Sequence, residues 1–123
     1  MVLQLRTSLD YITNSSIDIS KAKQYRYLID FKDTPVGFID LFDYTKDSVK
    51  VGVIISENFR NIGFGKEALD IIIDYVFSVL SVRKIYASVT KDNLASTRLF
   101  NSCNFDLSRE EDDFLYFVKL AEN

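Results

Sequence analysis

The sequence predicts an α+β domain of the three-layer α/β type, with a mixed and mostly antiparallel central sheet. Runs of aromatic and β-branched residues alternate with turn residues, which is typical of strands joined as antiparallel hairpins. In the middle of the chain a strand, a glycine-bearing turn, a helix and a strand follow one another, and such a crossover makes its two strands parallel. Because 123 residues suffice for one core, we expect a single domain over 1–123.

The first half of the chain predicts two hairpins. Residues 25–31 and 36–44 are rich in aromatic and β-branched residues, and the short connection between them contains Pro35. Residues 49–56 alternate apolar and other side chains, so this strand should bury one face. The N-terminal stretch 3–14 has a weakly helical pattern.

The second half predicts two helices and three more strands. Polar residues recur every fourth position at Lys66, Asp70, Asp74 and Ser78, which makes one solvent-facing stripe on a helix that is otherwise mostly apolar. Such a helix must pack on a sheet over a wide face. Residues 84–90 alternate as a strand and complete the crossover.

Polar residues mark where the remaining elements begin and end. Asp92 or Asn93 can cap a second helix over 94–103. Short strands over 105–107 and 114–120 should follow, with the charged run 109–113 as their turn.

Composition excludes several classes of protein. The net charge is −3 and the basic residues are scattered, which disfavours nucleic-acid binding because that needs clustered Lys and Arg. No apolar run approaches the ~20 residues that cross a bilayer, and the start lacks the pattern of a secretory signal, so we expect a cytoplasmic protein without membrane partners. Cys103 is the only cysteine and there is no histidine, so we expect neither a disulfide nor a metal site.

The segment 60–66 carries the strongest chemical signal. Gly63 can take a positive φ, Gly65 lets a ligand approach the backbone, and the first N–H groups of the following helix point outward. A helix start of this kind binds anions through its donors and its dipole. The alternative is that both glycines simply make a tight turn between a strand and a helix.

Two segments together resemble the GNAT superfamily of N-acetyltransferases. Arg60, Gly63 and Gly65 match its signature of Arg or Gln, two residues, Gly, one residue, and Gly or Ala after the fourth strand. Residues 93–105 are similar to its other marker, a helix led by Asn and closed by a Gly-Phe or Asn-Phe pair. The resemblance is nearest to the branch of ribosomal-protein, diamine and nucleotide-amino-sugar acetyltransferases, and it implies the acyl-CoA N-acyltransferase fold.

The resemblance also implies the residues that bind the cofactor, acetyl-CoA. The backbone of Val53 and Ile55 would pair with the pantetheine arm, and the Val53 N–H would polarise the thioester carbonyl as a catalytic group. Arg60 would add positive charge near the pyrophosphate, and Asn93 would cap its helix and touch the pantetheine. Ser96 is also expected among the cofactor-binding residues. The pyrophosphate would lie on main-chain amides of Asn61, Ile62, Gly63, Phe64, Gly65 and Lys66.

The acid and base are inferred from the same resemblance. Many relatives have a tyrosine that protonates the departing thiolate, but the matching position here is Phe100. Ser96, one turn earlier, is the candidate acid, with an ordinary polar helix residue as the alternative. Glu57 is the candidate base, while Asp40 and Asp43 are alternatives to it.

The acceptor implied by the resemblance is a primary amine on a small molecule, an amino sugar or a protein N-terminus. Lys50 occupies a position where many relatives carry glutamate, and Tyr44 and Tyr116 are candidates for lining the acceptor pocket. Cys103 is expected to be a small core residue rather than a nucleophile.

Three further expectations concern the chain as a whole. The family's first strand and first helix are expected to be lacking, and the exposed sheet edge that results predicts a homodimer. A non-catalytic acyl-CoA-binding or assembly module is the alternative function, and a purely structural domain is a third.

Overall fold

Hairpins and helical connections build a seven-stranded central sheet. The structure is a computed structural model and describes residues 3–7 and 24–122. The strands are β1 Leu3–Thr7, β2 Gln24–Phe31, β3 Thr34–Phe42, β4 Ser48–Ile55, β5 Lys84–Thr90, β6 Asp106–Glu111 and β7 Phe114–Leu120. The helices are α1 Phe64–Ser78 and α2 Leu94–Ser102, and a 3-10 turn, Glu57–Phe59, follows β4.

The sheet has the predicted mixed direction. Its strand order is β1-β2-β3-β4-β5-β7-β6, and every neighbouring pair is antiparallel except β4 and β5. Helix α1 connects these two parallel strands, so the predicted βαβ crossover is confirmed.

Strands β4 and β5 pair over only part of their length. Their register runs from Ser48 opposite Lys84 to Lys50 opposite Tyr86. Beyond that point the residues of β4 have partners on β3 alone, up to Ile55. The sheet therefore opens between β4 and β5, and we call this opening the split.

The core lies on one face of the sheet. On β5, Ile85, Ala87 and Val89 are buried while the residues between them are exposed. Helix α1 contacts β1, β3 and β4, and it also contacts α2. Its buried residues are Phe64, Ala68, Leu69, Ile72, Ile73 and Val76. These observations put both helices over the same apolar face, and the opposite face of the sheet is more exposed.

Two local predictions were wrong, one at the N-terminus and one in the last hairpin. Leu3–Thr7 is a strand rather than part of a weak helix, because Leu3 and Leu5 pack against the core cluster while Arg6 is exposed and pairs with Asp30. The rest of the predicted segment, 8–14, lies outside the described residues.

The last hairpin is longer than predicted. Strand β6 extends to Glu111, so the charged run 109–113 is mostly strand. The guanidinium of Arg109 lies 4.3 Å from the ring centroid of Tyr116 on β7, and Asp112 takes a positive φ of 53° in the turn. All of β6 is exposed, which accommodates charged side chains on an edge strand.

Gly37 provides a test of how closely β3 and β4 approach. A Cβ at this position would overlap the Ile54 carbonyl oxygen and lie 2.9 Å from Ile55 Cα. We expect Gly37→Ala to lower the free energy of unfolding by about 1–3 kcal/mol, since an overpacked backbone must shift. Urea unfolding followed by circular dichroism measures this.

Gly52→Ala is the matched control on the neighbouring strand, because its Cβ would meet only Phe42 Cε1 among the described residues, at 3.8 Å. Equal stability of the two variants would contradict the close approach at Gly37.

Candidate active site

The split leaves part of the β4 backbone without a strand partner. Ser56 N–H donates to the Val36 carbonyl oxygen at 2.8 Å, so Ser56 faces β3. In an antiparallel ladder, alternate residues point their N–H and C=O groups to the same side. Ile54 and Gly52 therefore face β3, whereas Val53 and Ile55 direct theirs toward the split. The two residues predicted to bind the pantetheine arm thus carry the main-chain groups of β4 that have no strand partner among the described residues.

The segment after β4 turns the chain into α1. Arg60 Nε donates to the Ile55 carbonyl oxygen at 3.0 Å, which ties the predicted cationic residue to the end of the strand. Asn61 and Gly63 both have positive φ, 62° and 103°. The Gly63 value is one that residues with a Cβ rarely adopt, so this turn requires glycine there.

The start of α1 has free donors. No side chain caps it, and its first intrahelical bond at this end is donated by Glu67 N–H to the Gly63 carbonyl oxygen. The N–H groups of Phe64, Gly65 and Lys66 precede that bond, so they have no acceptor within the helix. An anion held here would meet both these donors and the positive end of the helix dipole.

Helix α2 forms the other wall of the split. Asn93 Oδ1 accepts from Ser96 N–H at 3.1 Å, so the predicted cap is confirmed. Gly65 lies close to both Ile55 and Leu99. A Cβ on Gly65 would be 3.6 Å from Ile55 Cγ1 and 3.5 Å from Leu99 Cδ2. These are ordinary contact distances, so strand, helix start and α2 come together here without requiring glycine at position 65.

These elements enclose a cleft of about 620 Å³. It is lined by Val53, Ile54, Ile55, Phe59, Arg60, Asn61, Gly63, Phe64, Gly65, Lys66, Asn93, Ala95, Ser96, Arg98, Leu99 and Ser102. Among these lining residues the charged ones are Arg60, Lys66 and Arg98, all cations, although the chain as a whole has a net charge of −3. The cleft is thus a concave, positively charged site with free main-chain donors.

Lys66 is held at the edge of the cleft by its own helix. Its Nζ lies 2.9 Å from Asp70 Oδ2, one turn further along α1. The hydrogen bond to Asp70 raises the pKa of Lys66, so the ammonium stays charged at neutral pH.

The cleft brings together most of the residues predicted for the site. Val53, Ile55, Arg60, Asn61, Gly63, Phe64, Gly65, Lys66, Asn93 and Ser96 all line it. Ile62 and Glu57 do not: Ile62 is 52% exposed, and Glu57 is an exposed residue of the 3-10 turn. The candidate acid and the candidate base are therefore not both in the cleft.

Sequence reasoning missed six lining residues. Four of them lie on α2, at Ala95, Arg98, Leu99 and Ser102. Their spacing of three and four residues places them on one helix face, and that periodicity was available in the sequence. Ile54 and Phe59 complete the set, and no sequence pattern identified them.

Two residues that are not expected to take part in catalysis are buried. Phe100 is 4% exposed and packs against Phe105 and Phe117, with ring centroids 5.0 and 5.9 Å away. Cys103 is also buried in the core cluster, as predicted, and burial raises the pKa of its thiol. The thiol therefore stays protonated at neutral pH and is a poor nucleophile.

The other acidic candidates are engaged in ion pairs. Both carboxylate oxygens of Asp40 accept from Arg26, at 2.7 and 2.9 Å. Asp43 pairs with Lys50 at 3.1 Å.

Tyr44 packs against the core cluster, and Tyr116 lies under Arg109. None of these residues lines the cleft.

Residues 3–7 and 24–122 contain neither a metal-binding cluster nor a membrane-spanning helix. No three side chains of the metal-binding types converge there. No helix in this part of the chain is long and apolar enough to span a membrane.

Comparison with known proteins agrees with this geometry. The family model described as acetyltransferase (GNAT) domain matches residues 2–106. Acetyltransferase PseH of Campylobacter jejuni is 30% identical over 99 residues, covering 80% of this chain and 61% of that protein. Spermidine N(1)-acetyltransferase of Vibrio cholerae is 28% identical over 72 residues, covering 57% and 42%. The chain spans 59% and 61% of the lengths of two curated relatives.

A solved structure has the same fold. The crystal structure of the Campylobacter jejuni N-acetyltransferase PseH in complex with acetyl coenzyme A superposes with a TM-score of 0.81 and 19% identity, covering 98% of this chain and 100% of that one. The predicted acyl-CoA N-acyltransferase fold is confirmed by this likeness. With the family model spanning most of the sequence, the chain belongs to the GNAT acetyltransferase domain family.

Proposed function

We propose that this protein transfers an acetyl group from acetyl-CoA to a primary amine. One observation carries the proposal: the unpaired edge of β4 opens into a cleft that contains cations and an uncapped helix start. Acetyl-CoA combines an amide-containing arm with a diphosphate, so it matches both halves of this site.

The residues present fit the two parts of the cofactor. The main-chain groups of Val53 and Ile55 would pair with the amides of the arm, as a neighbouring strand would. The N–H groups of residues 61–66 would hold the diphosphate, with Arg60 on one side. Arg98 adds a cation on the α2 wall, and Asn93 borders the arm.

The chemistry needs little from side chains. Bound acetyl-CoA supplies an activated acyl group, and the amine attacks its carbonyl carbon directly. Val53 N–H would stabilise the negative charge that develops on the carbonyl oxygen, because it is a fixed donor without a strand partner among the described residues. As the C–N bond forms and the C–S bond breaks, Ser96 would give a proton to the departing sulfur and regain one from water.

The surroundings of Ser96 support this role. Its N–H is fixed by Asn93 Oδ1, it is half-buried, and it lines the cleft. No partner for its hydroxyl occurs among the described residues, which leaves the hydroxyl available to a ligand. Glu57 would be the base; because it lies outside the lining, water would relay the proton from the amine to it.

The acceptor belongs to the proposal as well. A spermidine acetyltransferase among the relatives supports a small-molecule amine, while an amino sugar or a protein N-terminus are alternatives. A homodimer formed through a sheet edge and a cytoplasmic location are proposed with it. The lack of the family's first strand and first helix also stays a prediction, because within 1–23 the structure describes only Leu3–Thr7.

One observation favours a second function. Among the described residues the cleft lining contains no carboxylate, and the residue at the usual tyrosine position is a buried phenylalanine. A non-catalytic acyl-CoA-binding or assembly module would need neither a carboxylate base nor a tyrosine acid. Release of free thiol from acetyl-CoA with a panel of amines separates the enzyme from the module.

Gly63 tests the binding part of the proposal. Its φ of 103° is a severe outlier for a β-branched residue, so Gly63→Val should displace the donors of the turn. We expect calorimetry to show binding of acetyl-CoA by the wild type and a Kd raised by about tenfold or more in the variant, equivalent to about 1.4 kcal/mol.

Val79→Ala, at an exposed position beyond the other end of α1, is the control and should bind as the wild type does. Equal affinity of Gly63→Val and wild type would contradict the turn as the diphosphate site, and a wild type without heat of binding would reject the function.

Ser96 tests the catalytic part. Removal of a general acid costs typically 10²–10⁴-fold, so we expect Ser96→Ala to lower kcat by about a hundredfold with an unchanged Kd for acetyl-CoA. Thr97→Val is the matched control, because the Thr97 hydroxyl donates to the Asn93 carbonyl oxygen and does not line the cleft. Full turnover by Ser96→Ala would remove the acid assignment but not the fold or the binding site.

A further inference from the structure

The cleft ends at Val53 in the direction of the start of β4. On the helix-facing side of this strand Val49 and Val51 are buried, whereas Val53 and Ile55 are half-buried and line the cleft. Among the described residues that line the cleft, none belongs to β5. The cleft therefore extends from Val53 toward the turn and α1, and not toward the region where β4 and β5 are paired.

The split also closes in that direction. Lys50 opposite Tyr86 is the last register pair between β4 and β5, and Lys50 lies three residues before Val53. At the rise of a β-strand this separation is about 10 Å. A molecule that ran along the unpaired edge of β4 past Val53 would therefore soon meet paired main chain.

Buried side chains fill the helix-facing side of this region. Val51 on β4 is 3% exposed, and Ala87 and Val89 on β5 are 3% and 4% exposed. The parallel register, continued past its last pair, puts Ala87 level with Val51. All three residues belong to the core cluster, and protein interiors are too densely packed to take in added carbon atoms without a shift.

An aromatic pair fills the space behind Ala87. Phe117 is the register partner of Ala87 on β7, and its ring stacks on that of Phe100 with the centroids 5.9 Å apart. Phe100 belongs to α2, the helix that forms the other wall of the split, and it is 4% exposed. Strands β4 and β5 and helix α2 therefore all contribute to the filling. We call the four residues Val51, Ala87, Val89 and Phe100 the closed end of the split.

A donor bound as proposed would point its acyl chain at the closed end. Its diphosphate would lie at the turn and the start of α1, which follow β4, and its thioester carbonyl at Val53. The arm between them would run along β4 from Ile55 toward Val53. Because the acyl carbons come after the carbonyl, they would continue in the same direction, into the stretch between Val53 and Lys50.

We propose that the closed end limits the donor to short acyl chains, and that Val51 and Val89 set this limit. An acetyl group needs room for a single methyl group beyond the carbonyl, and the unpaired stretch between Val53 and Lys50 supplies it. A butyryl group carries two further carbons, which have to displace buried side chains. This inference rests on the proposed acetyl transfer and adds the residues that determine which acyl-CoA is used.

Two donors test the limit in the wild type. Acetyl-CoA and butyryl-CoA differ only in the acyl chain, and both are measured with whichever of spermidine, glucosamine and a peptide beginning with alanine is acetylated fastest. An added methylene in a fixed apolar pocket changes the rate by about tenfold or more, so we expect kcat/KM for butyryl-CoA to be about a hundredfold below that for acetyl-CoA. Calorimetry should show a Kd for butyryl-CoA that is higher by about tenfold, because the chain must displace the closed end or draw the thioester away from Val53.

Enlarging the closed end tests the two named residues. We expect Val51→Ala to raise the ratio of kcat/KM for butyryl-CoA to that for acetyl-CoA about tenfold, since it removes two carbons where the longer chain needs room. Val89→Ala makes the same test from β5, with the same expected direction. Val36→Ala is the matched control, because Val36 is a fully buried valine of β3, which β4 separates from the split, and it should keep the ratio of the wild type. Thermal unfolding checks that the variants fold.

Each outcome decides the matter. Equal use of butyryl-CoA and acetyl-CoA by the wild type would overturn the limit and leave the acetyltransferase proposal intact. So would an unchanged ratio in the folded Val51→Ala and Val89→Ala variants, or an equal rise in Val36→Ala. A wild type that binds no acetyl-CoA would overturn both proposals. If the wild type binds acetyl-CoA but acetylates none of the three amines, the two Kd values decide: a higher Kd for butyryl-CoA supports the limit, and equal values overturn it.

Discussion

The divergence of β4 from β5 is the constraint on which the site depends. Main-chain N–H and C=O groups inside a protein are almost always paired, so a central strand with a free edge needs either water or a ligand. Val53 and Ile55 have no strand partner on the split side, in the middle of the sheet. The Val53 N–H and C=O groups and the Ile55 N–H group are therefore oriented before any ligand arrives, while the Ile55 carbonyl oxygen accepts from Arg60. This orientation lowers the cost of binding an extended, amide-bearing molecule.

The rest of the fold keeps this edge open and makes it electrostatically suitable. Helix α2 follows β5 closely and brings Leu99 near Gly65 in the lining of the cleft. The turn after β4 adds free N–H groups at the start of α1, and Arg60 is fixed by the Ile55 carbonyl oxygen. An acidic protein thus presents a local cationic cleft, which is what a diphosphate-bearing ligand requires.

The sequence predicted those parts of the site that depend on local conformation. Gly63 and the cap Asn93 were identified because positive φ and helix capping restrict the choice of residue. The split itself could not be predicted, since the alternation in β4 shows which face is buried but not where pairing with β5 stops. Leu3–Thr7 was misread for a related reason: five residues carry too little periodicity, and only pairing with β2 defines the strand. Burial of Phe100 among aromatic residues from distant strands is likewise a tertiary effect.

We propose that the split-side N–H groups of β4 are free in the protein alone and hydrogen-bonded when acetyl-CoA is bound. Amide hydrogen exchange of Val53 and Ile55 measures this directly, because exchange is slow only where an N–H is hydrogen-bonded or excluded from water. We predict fast exchange at Val53 and Ile55 without ligand, despite their place in a central strand. With saturating acetyl-CoA both amides should be strongly protected. Gly52 and Ile54 should be protected in both states. Equal exchange of Val53 and Ile55 with and without acetyl-CoA would contradict it.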